Sequence, residues 1–157
     1  MLYKGAKRAG PRIETLVFPR RDGEIVFNAA CVTDYAKFDS LCPAPKPPML
    51  IKPGKEAIPD YADASFKDAQ NVWGARKLHW MVLESLKASQ DVAWETVDEN
   101  NPETWGNYQT ELKESGFSDP EIMRIVNLVI DACGLDQSKI DEATERFLAG
   151  QAVPVLT

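Results

Sequence analysis

The chain has a single histidine, His79, and only three cysteines among its 157 residues. Cys31, Cys42 and Cys133 are odd in number and far apart, which favours free thiols in a reducing compartment over a disulfide framework. No run approaches the ~18 apolar residues that a membrane span requires. The basic start, Met1 to Arg8, is followed by no apolar secretory core or small-residue cleavage site. These absences predict a cytoplasmic protein without membrane partners. Glycine-rich phosphate loops are also lacking, since Gly5 and Gly10 have no strand before them.

Catalytic constellations are equally scarce. His79 stands beside Trp80 in a helical stretch, with no serine or cysteine nucleophile at recognisable spacing, so a helix-face role is the plainer one. Cys31, Cys42, His79 and Cys133 would add up to a zinc set. Ten residues separate even the nearest two cysteines, whereas structural zinc sites draw ligands in close pairs. The acids Glu95, Asp98, Glu99 and Glu103 lack the oxygen-ligand spacing of a calcium loop and read as a solvated face. We therefore expect no enzyme, no cofactor and no metal.

What the chain does have is asymmetry of charge. Its net charge is −6, yet residues 1–21 carry six cations against Glu14, a balance of +5 that leaves −11 for the rest. Residues 91–121 hold nine acids and one base, Lys113. Duplex binding needs clustered cations that release counterions from phosphates, and this acidic body opposes it. Residues 1–12 read as a basic flexible tail.

At 44% hydrophobic and 27% charged, the chain falls in the globular range and is long enough to bury a core. Residues 13–42 predict a β-hairpin and a short helix. Ile13–Phe18 and Glu24–Val32 are the strands, Pro19-Arg20-Arg21-Asp22-Gly23 the turn, and Thr33 the helix cap. Residues 43–59 contain six prolines and predict a polyproline-type arm. Residues 60–150 predict a helical domain of about four helices. Phe66, Trp73 and Trp80 recur every seven residues in the first, and Asn101-Pro102-Glu103 starts the second, which ends before Gly116. Ser118-Asp119-Pro120-Glu121 is a capping box before the face Ile122, Ile125, Val126, Val129 and Ile130. Ile140, Ala143, Phe147 and Leu148 share a face of the last helix, and residues 151–157 form a tail. The expected class is α+β, with an N-terminal hairpin, a proline-rich arm and a C-terminal helical bundle.

Trp73, Trp80, Trp94 and Trp105 all fall within 33 residues. They either fill the bundle core or present an aromatic surface to another protein, where tryptophan is enriched among hot spots. Pro45-x-x-Pro48 is either a passive linker or a segment that docks an aromatic groove. Pro45, Trp73, Trp80, Trp94 and Trp105 are the partner-binding residues to be placed. A two-stranded hairpin is marginal alone, so it packs on helices or pairs with another chain. The expected partners are other proteins, with a homo-oligomer among the options.

Several segments in succession carry a likeness. They are Tyr35 to Pro48, Trp94-Glu-Thr-Val-Asp98, Asn101-Pro-Glu-Thr-Trp105, Glu111 to Phe117, Glu121-Ile-Met-Arg-Ile125 and the Phe147-Leu148 helix. Over residues 13–150 this resembles small acidic tail-assembly chaperone-like proteins of long-tailed bacteriophages. The resemblance implies a protein of the host cytoplasm that binds the tape-measure protein or other tail proteins and carries no catalytic residues. The alternatives are a structural virion subunit of the tail or connector, and an enzyme with a dispersed site near His79.

Overall fold

In the computed structural model, residues 1–7 and 10–151 are described. Arg8, Ala9 and all of the 151–157 tail but Gln151 therefore lie outside the described residues. The basic start is not a featureless tail. β1 (Leu2–Tyr3) pairs antiparallel with β2 (Ala6–Lys7) around Lys4-Gly5, whose φ angles of 50° and 75° give the reversal. Both strands are exposed.

The main hairpin follows the alternation of its residues. β3 (Ile13–Arg20) pairs with β4 (Gly23–Ala30) around the two-residue loop Arg21-Asp22. Pro19 lies within the strand rather than the turn, opposite Glu24. Leu16 and Phe18 face inward across from Phe27 and Ile25, and Ile13, Thr15 and Val17 face outward. Phe18, Phe27 and Phe117 meet edge to face, with centroids 5.3–5.9 Å apart.

Helix α1 (Ala36–Leu41) begins later than Thr33, which does not cap it. The Asp34 carboxylate instead accepts the Ala36 N–H at 2.9 Å, because an aspartate folds onto its own following backbone more readily than the threonine. Its one buried residue, Phe38, is ringed by Trp73, Trp80 and Trp105 at 5.7–6.0 Å.

The proline segment doubles back instead of remaining an extended polyproline arm. β5 (Met49–Leu50) pairs with β6 (Ile58–Pro59), and the Asp60 N–H donates to the Pro48 carbonyl at 2.7 Å. The cause is local. Lys52-Pro53-Gly54-Lys55 is a turn with proline second and glycine third, Gly54 at φ 75°, closed by the Lys55 N–H on the Lys52 carbonyl at 3.1 Å.

Helix α2 (Ala64–Leu86) is capped by Asp63, whose side chain accepts the Phe66 N–H at 2.8 Å. It is exposed over its first turns apart from Phe66, and buried from Trp80 to Leu86. Its last turn and the turn after it bond the outer edge of β4 at Asn28 and Ala30. The buried Ser89 hydroxyl accepts the Asn28 N–H at 2.8 Å and donates to the Asn28 carbonyl at 2.9 Å. Ser85 donates to the Ala30 carbonyl at 2.7 Å.

The helix expected from Asn101 to Gly116 is split. Asn101 caps only a 3₁₀ turn at Pro102–Thr104, and α3 runs from Asn107 to Glu114. Gly106 at the joint lies against the His79 ring, and Trp105 Nε1 donates to the Glu99 carbonyl at 3.2 Å. Trp105 and Gly106 keep right-handed helical dihedrals, so the segment passes from a 3₁₀ turn into α3 rather than forming one continuous α-helix. α4 (Asp119–Ala132) keeps its full capping box on Ser118 and Glu121, and it buries Ile122, Ile125, Val126 and Val129. It packs on β3, β4 and α2, so the hairpin's inner face and the helices share one core. The fold is α+β, with N-terminal strands and C-terminal helices.

The last helix, α5 (Gln137–Gln151), completes the C-terminal helical bundle at its exposed end. Every residue from Gln137 to Gly150 is exposed, including Ile140, Phe147 and Leu148.

Candidate protein-interaction surfaces

The structure separates the five residues singled out in the sequence. Trp105 is fully buried and Trp80 nearly so, both in the core around Phe38. Neither offers a ring face to a partner. Trp73 is half-buried: its Nε1 donates to the Cys42 carbonyl at 3.0 Å, and the Lys77 ammonium lies 5.0 Å from its ring centroid. It fastens the start of the proline segment to α2. Trp94 is half-buried against Tyr108, with centroids 5.9 Å apart, and lines a cleft. Pro45 is half-buried in the loop leading to β5. The five do not form one surface.

The Trp94 cleft has a volume of about 420 Å³. Ile25, Val92 and Trp94 contribute its apolar wall, and Asp91, Glu95, Glu111 and Glu114 line it with no cation. Glu111 also staples the loop before α3, accepting from the Glu95 N–H at 2.6 Å and from the Thr96 hydroxyl at 2.9 Å. Burial opposes its charge, yet these donors hold its carboxyl below the usual carboxylate range.

His79 is half-buried, and burial lowers its pKa, so it is neutral near pH 7. Its Nδ1 lies 3.4 Å from the Tyr108 hydroxyl, and burial raises the Tyr108 pKa. The pair is a packed contact between α2 and α3. Cys42 is buried, while Cys31 and Cys133 are half-buried neighbours whose sulfurs meet the Val32 backbone at 3.8 and 3.5 Å. Burial raises the Cys133 pKa, which keeps that thiol protonated. Among the described residues no three histidine, cysteine or acidic side chains converge into a metal cluster. None of their helices is long and apolar enough to cross a membrane.

The apolar surfaces that do face solvent were not singled out. Ile140, Phe147 and Leu148 of α5 are 43%, 62% and 57% exposed. The β5–β6 ribbon shows Met49, Leu50, Ile51 and Ile58, and the outward face of the main hairpin shows Ile13, Val17 and Val26. The α5 face was legible as amphipathic spacing, but spacing does not say whether the rest of the chain covers a face. Comparison with protein families, curated proteins and solved structures finds no match to this chain.

Proposed function

We propose that this chain is a non-enzymatic protein-binding factor, an assembly chaperone for bacteriophage tail proteins such as the tape-measure protein. The observation that carries this reading is α5. A fifteen-residue amphipathic helix with its apolar side in solvent is stabilised poorly by itself, because most helix stability comes from packing such a face. It is a surface made for another helix, read at Ile140, Phe147 and Leu148. The ribbon adds a second exposed apolar element, and the acidic body keeps a chain with such patches dispersed. The likeness to tail-assembly chaperone-like proteins gives the binding partner its class, a long helical tail protein met in the host cytoplasm.

The test is capture of the tagged full chain from lysate of infected host cells, with mass spectrometry of the eluate and of purified particles. The proposal expects a long helical tail protein in the eluate and this chain missing from particles. Stoichiometric presence in particles makes it a structural virion subunit instead. Absence of any protein partner, with an activity abolished by His79→Ala, returns it to the enzymes.

A further inference from the structure

A cysteine directly follows both β4 and α4. The Cys31 N–H carries the hairpin ladder one step past β4, donating to the Arg12 carbonyl at 2.8 Å. Cys133 is the C-cap of α4, where Gly134 at φ 69° turns the chain and the Leu135 N–H closes on the Ile130 carbonyl at 3.0 Å. Because α4 packs on β4, the two ends arrive together. The Val32 N–H donates to Cys133 Sγ at 3.5 Å, and the Cys31 thiol donates to the Val32 carbonyl at 3.8 Å. The Val32 nitrogen is peptide-bonded to Cys31, which puts Cys133 Sγ within about 6 Å of Cys31 Cα. The two thiols are within side-chain hydrogen-bonding reach of each other, and Tyr35 stands beside the pair. Both are half-buried, whereas Cys42 is buried in the core.

We propose that Cys31 and Cys133 form a modification site, a dithiol that hydrogen peroxide closes into an intramolecular disulfide. Cys31 as thiolate attacks one peroxide oxygen, the O–O bond breaks, and the released hydroxide takes up the thiol's proton as water. The Cys133 sulfur then attacks the sulfenic sulfur of Cys31. The S–O bond breaks, and hydroxide leaves with the Cys133 proton as a second water. Two thiols are oxidised and one peroxide is reduced. Burial holds the Cys133 thiol protonated, which gives it the second step.

The resolving sulfur is already in place, held on a capped helix against a paired strand, so ring closure outruns further oxidation of Cys31. The bridge joins positions 31 and 133 and so constrains a long loop of the unfolded chain. It also pins the junction four residues before α5. The site is independent of the tail-protein reading.

The test treats the reduced full chain, dilute enough to disfavour links between copies, with a small excess of hydrogen peroxide. Intact mass, tryptic peptides without reduction, and Tm are read. Expected is the loss of two hydrogens, with peptide 22–37 joined to peptide 125–139 and the Cys42 thiol still free. Tm is expected to rise by at least ~5 °C and to return with dithiothreitol. Cys42→Ser leaves the link intact, while Cys31→Ser and Cys133→Ser each abolish it. A chain that keeps three free thiols overturns the proposal. So do oxygen addition without loss of two hydrogens, a link through Cys42 or between copies, and a bridge that lowers Tm.

Discussion

Replacing Ser89 with alanine removes one hydroxyl that makes two hydrogen bonds to the same residue, Asn28, at 2.8 and 2.9 Å. Each net bond contributes about 1 kcal/mol, and a backbone donor and acceptor left behind α2 cost more than an exposed pair. Ser89 lies beyond the end of α2, so alanine gains no helix propensity in return. The expected loss is about 2–3 kcal/mol, which for a chain of this length lowers Tm by roughly 5–10 °C. Ser85→Ala loses a single bond and sits inside the helix, where alanine recovers about 0.5 kcal/mol, so its loss is about 0.5–1 kcal/mol. Urea unfolding followed by tryptophan fluorescence measures both, with the exposed Ser65→Ala as a control within about 0.5 kcal/mol. A Ser89→Ala loss no larger than the control's refutes the claim that Ser89 stabilises the β4 edge at Asn28.

Trp105→Ala empties a fully buried site and lowers stability by about 3–5 kcal/mol, whereas Trp94→Ala, half-buried at a cleft wall, costs visibly less in the same assay. Burial lowers the His79 pKa, so below about pH 6.5 the unfolded chain takes up a proton that the folded chain refuses, and stability falls with pH. His79→Asn removes that part of the pH dependence, visible as a flatter Tm between pH 7 and 5. The bonded Arg20 guanidinium, with the Ser118 N–H, holds the Glu121 carboxyl below the usual range. Its stabilising effect is complete above the unfolded carboxylate pKa of about 4.3 and is lost as pH falls through the lower folded value. The Tm gap between the native chain and Glu121→Gln therefore closes in acid.

Local rules made much of the fold readable. Ile122, Ile125, Val126 and Val129 were placed on one buried face because a capping box fixed where α4 starts and helical spacing did the rest. The hairpin followed from two β-forming runs on either side of an Asp-Gly turn. The misreadings came from competition that spacing cannot show. The Asp34 turn onto the Ala36 N–H moved the start of α1 past Thr33 to an N-cap, Tyr35, with no side-chain bond, and Pro53-Gly54 folded back an arm that six prolines alone describe as extended. The segment from Asn101 starts as a 3₁₀ turn and becomes α-helical only from Asn107, although its start signal was sound. The candidate site was less legible. Tryptophan is both a core filler and an interface residue, and Trp80 and Trp105 took the first role. The α5 face is apolar by pattern, but only the packed structure shows that, among the described residues, Ile140, Phe147 and Leu148 stay exposed.

The proposed role of α5 as a binding helix rather than a member of the core is tested most directly by one comparison. The full chain and its Phe147→Glu, Leu148→Glu double variant are used side by side to capture partners from infected-cell lysate, with Tm measured on both. Both positions are exposed, so Tm is expected to agree within about 2 °C, as for surface substitutions. The native chain is expected to recover a long helical tail protein, and the variant at least tenfold less of it. Equal recovery by both chains would contradict the account, as would a large fall in Tm, which would place α5 in the core.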